Sequence, residues 1–108
     1  DSFSTTAKTL IDLSAVFGVP AGVRWVLVKA RINDDGSAGK TYETFLILGP
    51  NDTAGEGVRW CCAGLPNDAQ AHGTFIVPCN ADGDVYYQIG ASGPGTLDVS
   101  LQIWGYGW

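Results

Sequence analysis

Hydrophobic and polar residues alternate along most of this chain, and most regularly near its end. Over residues 96–104, Leu97, Val99, Leu101 and Ile103 interleave with Thr96, Asp98, Ser100, Gln102 and Trp104. A period of two is the mark of a strand with one buried and one exposed face. Beyond that point Trp104, Tyr106 and Trp108 continue the polar positions, with Gly105 and Gly107 between them. A regular strand would set these three rings in a row on the outer face, about 6.5–7 Å apart.

The same pattern recurs upstream. In residues 23–32, Val26, Val28, Ala30 and Ile32 share one face, and Trp25, Leu27, Lys29 and Arg31 share the other. Here too the outer face carries large apolar side chains. Shorter strand signals fall at residues 9–13, 41–48, 58–63, 74–78 and 85–89, the third strand being apolar on both faces towards its end. Between them lie Gly, Pro, Asn and Asp clusters that favour chain reversal: 17–22, 33–39, 49–57, 64–73, 80–84 and 91–95. Residues 17–22 read as turn chemistry and not as helix. The expected fold is all-β: one antiparallel β-sandwich of about seven to eight strands, jelly-roll-like, with an immunoglobulin-like sandwich as the next choice.

Composition narrows the function classes. The 108 residues suit a single domain, assigned to residues 9–108, with the polar residues 1–8 as a flexible or partner-bound lead-in. A formal charge of −5 argues against a nucleic-acid partner. No apolar run approaches the roughly 18 residues of a membrane-spanning helix, so no membrane partner is expected. The chain begins at Asp1 without a basic head or apolar core, which reads as a processed piece of something longer.

Candidate chemistry is sparse. His72 is the single histidine and falls in a polar loop with neither a GxSxG elbow nor a defined nucleophile nearby. Asp34, Asp35, Glu43, Asp82, Asp84 and Asp98 offer carboxylates, but no spacing singles out a catalytic pair. Asn80-Ala81-Asp82-Gly83-Asp84 resembles the start of a calcium loop, yet lacks the later Glu and reads better as a turn capped by its own side chains. The expectation is no enzyme, no catalytic residue, no metal and no cofactor. Of the three cysteines, Cys61 and Cys62 are neighbours; either one pairs with Cys79, or all three remain reduced, small buried side chains. No CxxC spacing suggests zinc.

The aromatic row is the stronger signal. With Trp25 and Leu27, the side chains of Trp104, Tyr106 and Trp108 fit a subunit interface, a platform on which a glycan stacks, or internal packing at a sheet edge.

Four stretches carry a resemblance: LIDLSAVFGVPAG from Leu10, DDGSAG from Asp34, VRWCCAGLPNDA from Val58, and FIVPCNADGDVYYQIGASGPGTLDVSLQIWGYGW from Phe75 to the end. Together they resemble a β-sandwich module of tailed-bacteriophage virion proteins, of the tail-fibre, head-fibre or capsid-decoration type. The residues from Tyr86 to Trp108 are the most specific portion, and Gly107 lengthens the aromatic ending usual in such modules by one residue. The resemblance implies a non-enzymatic structural module on the virion surface, frequently a homotrimer, meeting other virion proteins and, in the rival reading, a host surface glycan. It also fits a Cys62–Cys79 disulfide between neighbouring strands.

Overall fold

The computed structural model describes residues 2–3, 7–36, 44–61, 68–92 and 96–108. In chain order the elements are β1 (Ser2–Phe3), β2 (Thr9–Ile11), α1 (Leu13–Phe17), β3 (Trp25–Asp34), β4 (Phe45–Gly49), β5 (Val58–Cys61), β6 (Gln70–Pro78), β7 (Val85–Gly90) and β8 (Leu97–Gly107). They form two four-stranded sheets with orders β1-β8-β3-β6 and β2-β7-β4-β5. All pairings are antiparallel. β1 lies beside β8, β2 beside β7, β3 beside β6 and β4 beside β5, as in one long hairpin rolled up on itself. That nesting is the jelly roll.

The predicted inward faces meet in the core. Val26, Val28, Ala30 and Ile32 of β3 and Leu97, Val99 and Leu101 of β8 pack against Leu46 and Leu48 of β4 and Val85, Tyr87 and Ile89 of β7, all buried. Each such aliphatic side chain contributes roughly 1.5–3 kcal/mol by leaving water, and β-branched residues suit the pleated surface.

Three expectations need correction. The strand expected over residues 9–13 ends at Ile11 and a short helix follows it, ahead of the turn at 18–22: Asp12 caps α1, its Oδ1 accepting from the Ala15 N–H at 2.9 Å and the Ser14 hydroxyl at 2.8 Å. Gly18, at φ 71°, ends it in the left-handed region. Five residues are too few to show a 3.6 period, although the Asp and Gly at its ends are start and stop signals. Its Leu13 is buried in the core. Next, residues 1–8 do not all precede the sandwich, because Ser2 and Phe3 pair with Ser100 and Val99 as β1. Finally, β6 begins at Gln70 and not at residue 74. Its inward-parity positions there are Ala71 and Gly73, too small to register as an apolar stripe. A side chain on Gly73 would strike the rings of Phe75 and Trp60, which pack at 5.5 Å between the two sheets. The predicted strand residues 41–43 and 62–63 lie outside the described residues.

The two outer faces differ. On the β2-β7-β4-β5 sheet, Ile47 faces away from the core yet is fully buried. The 50–57 loop folds over it: the Gly55 N–H donates to Gln88 Oε1, and Lys8 Nζ donates to the carbonyls of Thr53 and Glu56. Burial lowers the Lys8 pKa, with Glu56 and Asp52 opposing the shift. Beside it, the Arg59 guanidinium sits 4.2 Å from the centre of the Phe45 ring. The outer face of the β1-β8-β3-β6 sheet carries no such cover among the described residues.

Candidate functional site

The uncovered face is shaped by one irregularity in β8. Opposite β3, Ile103 pairs with Val28, but Gly105 and not Trp104 pairs with Leu27. Trp104 is therefore the extra residue of a β-bulge, and every side chain after it changes face. Tyr106 comes opposite the buried Val26, and Gly107 opposite Trp25. The three rings do not form one row. Trp104 stands on the outer face; Tyr106 shares the side of Val26 and faces the end of the sandwich, near Phe17, Gly18 and Val19. Trp108 approaches Gly22, its Cζ3 4.0 Å from where a Cβ there would sit. Periodicity could not reveal this, because a single inserted residue has no compositional mark.

What the bulge gathers on the outer face is an apolar patch. Ile76 is directly opposite Leu27, and Pro78 opposite Trp25, across the β3–β6 ladder. Trp104 is 67% exposed, Ile76 65% and Trp25 38%, with Leu27 half-buried between them. Gly107 lies beneath the Trp25 indole, where a Cβ would collide with it. Lys29 Nζ is 5.7 Å from the centre of the Trp104 ring, and the Trp104 Nε1–H donates to Gln102 Oε1 at 3.1 Å. A depression of about 170 Å³ lies among Leu27, Lys29, Thr74 and Trp104. Ile76 was the member that sequence reading missed; it is the outward residue of a strand whose inward partner, Val77, gave no reason to flag it.

His72 lies on β6, not in a loop, and is exposed opposite Arg31. Ser100 is opposite Arg31 on the other side and accepts a bond from Arg31 Nη2 at 3.3 Å. With β3 between them, the Ser100 and His72 backbones are about 10 Å apart.

The 80–84 segment is a turn. Asn80 Oδ1 accepts from the Asp82 and Asp84 N–H groups at 3.0 and 2.9 Å, and Asp84 Oδ1 accepts from the Leu13 N–H at 2.9 Å. These oxygens hold the backbone and dock the turn against α1. Among the described residues no group of three or more His, Cys, Asp or Glu is placed to hold a metal.

Cys62, one half of the expected Cys62–Cys79 pair, lies outside the described residues, and Cys79 is a free thiol, half-buried. The end of β5 at Cys61 pairs with Phe45, whereas Cys79 bonds through its N–H to Arg24 at the other end of the sandwich. Burial, with a contribution from the Asp84 charge, pushes the Cys79 thiol up to about 11.

No protein-family model, curated protein or solved structure matches this chain. Among the described residues, no helix is long and apolar enough to cross a membrane.

Proposed function

We propose that this chain is a non-enzymatic structural module of a tailed-bacteriophage virion surface, and that it assembles with copies of itself through the Trp25, Leu27, Ile76 and Trp104 patch on the outer face of the β1-β8-β3-β6 sheet. The observation that carries self-assembly is the apolar patch of Trp25, Leu27, Ile76 and Trp104, which no described residue covers, set against the covered outer face of the opposite sheet. Large exposed aromatic and aliphatic side chains gathered in one place mark contact surfaces. The virion setting rests on the sequence resemblance, which also suggests three copies; a compact acidic sandwich suits such a surface. The module would decorate the capsid, form a head fibre or end a tail fibre. A stacking platform of the three C-terminal rings is not proposed, because the bulge leaves only Trp104 of them on this face.

The test of the setting is the virion itself. Gold-labelled antibody against this chain should bind intact particles at a discrete surface location, and purified particles should contain the chain in multiples of three. Particles free of the chain would overturn the proposal.

A further inference from the structure

Beside the apolar patch, the same outer face changes character. Lys29, Ala30, Arg31, His72, Ser100 and Gln102 line a depression of about 260 Å³. On a chain of net charge −5 with only six Lys and Arg, two of those six and the single histidine stand together here. Asp98 is the one carboxylate on the outer face of the described strands of this sheet, beyond Ser100 and opposite Asn33. The groove is thus a local positive site on an acidic protein, and such a concentration of field favours an anion.

The side chains are held in place. Arg31 is tethered through one Nη to Ser100, leaving its other N–H groups to donate. Lys29 lies over the Trp104 ring, and Trp104 fixes Gln102. Trp104 therefore positions the rim of the groove without needing to touch what enters it. Arg31 matches a carboxylate, to which guanidinium donates in pairs, while Ser100 and Gln102 supply neutral donors and acceptors suited to hydroxyl groups. The volume lies just under the roughly 300–1,000 Å³ of ordinary ligand pockets, room for a small ligand and not an extended chain.

We infer that this groove binds a carboxylate-bearing sugar residue, its acid group held by Arg31 and Lys29 and its hydroxyls by Ser100 and Gln102. The inference does not rest on self-assembly, since the groove lies on the far side of Lys29 from Leu27 and Ile76.

The test is a titration of the purified chain, followed through its backbone amide resonances, with D-glucuronate, N-acetylneuraminate, D-glucose and acetate. At least one of the two acidic sugars should shift Lys29, Arg31, His72, Ser100 and Gln102. Glucose, lacking the charge, and acetate, lacking the hydroxyls, should each bind about tenfold more weakly or worse, as expected for loss of a charge-assisted bond or of several neutral ones. Arg31→Gln should weaken the acidic sugar by about tenfold or more, while Arg59→Gln on the opposite sheet should leave it unchanged. Arg31 is exposed, so its variant should keep the wild-type spectrum elsewhere. The inference is overturned if neither acidic sugar moves these resonances, if acetate or glucose binds as well, or if Arg31→Gln binds like the wild type.

Discussion

The register change in β8 makes a sharp prediction about two glycines only two residues apart. A methyl group added at Gly105 would meet nothing nearer than Leu27 Cβ at 3.7 Å, an ordinary contact. At Gly107 it would collide with Cε2, Cζ2 and Nε1 of Trp25, so the indole must leave its seat. Trp25 is 38% exposed, so about three-fifths of it is covered; for a ring of about 200 Å² that is roughly 120 Å², or about 3 kcal/mol if all of it were lost. A surface ring keeps part of its cover after moving, and replacing Gly by Ala within a strand returns roughly 0.5–1 kcal/mol. Gly107→Ala should therefore destabilise by about 1–2 kcal/mol, while Gly105→Ala is neutral or stabilising by up to about 1 kcal/mol. Urea unfolding at constant m-value measures both. In a Trp25→Ala background the cost of Gly107→Ala should vanish, a coupling of about 1 kcal/mol or more. Equal effects at the two glycines, or a Gly107→Ala cost unchanged without Trp25, would refute the bulge and the ring placement that follows from it.

Other outcomes follow from the same geometry. Gly83, at φ 89°, would place a Cβ 2.6 Å from the Gly22 nitrogen and 2.9 Å from that of Val23; Gly83→Ala should cost at least about 2 kcal/mol in the same unfolding assay, since backbone on both sides must shift. With its thiol moved from 9.0 to about 11, Cys79 should alkylate about a hundredfold more slowly near pH 8 in the folded chain than in urea, as peptide-resolved mass spectrometry would show. The Asp12 carboxyl is held below its ordinary range chiefly by the Ala15 N–H and then by the Ser14 hydroxyl. Its stabilisation of the folded chain is therefore full above the ordinary carboxylate pKa of about 3.9 and fades as pH falls through the lower folded value. Asp12→Ala should be less stable than wild type at pH 7, and the gap should narrow in acid; a pH-independent gap would contradict the capping role.

Alternation made the jelly roll legible because each long strand buries one face and wets the other. The inward sets of β3 and β8 can be read straight from Val26 to Ile32 and Leu97 to Leu101. What could not be read depended on contacts distant in sequence. The burial of Ile47 on an outward face comes from a loop that crosses it, tied by Lys8 and Gln88. Trp104, Tyr106 and Trp108 look equivalent in sequence, and only the pairing of β8 with β3 separates them. Similarly, Lys29, Arg31, His72 and Ser100 are scattered along the chain and become neighbours only across three paired strands.

The central claim is that the outer face around Ile76 and Trp104 is a contact surface between copies of this chain. Sedimentation equilibrium of the wild type beside Ile76→Lys tests it most directly, with Leu10→Lys on the other sheet as the control. The wild type and the control should sediment as oligomers at micromolar concentration. Ile76→Lys should raise the dissociation constant about thirtyfold or more, corresponding to about 2 kcal/mol for a residue central to an interface. A wild type that sediments as a monomer, or an Ile76→Lys variant that assembles like it, would contradict the account.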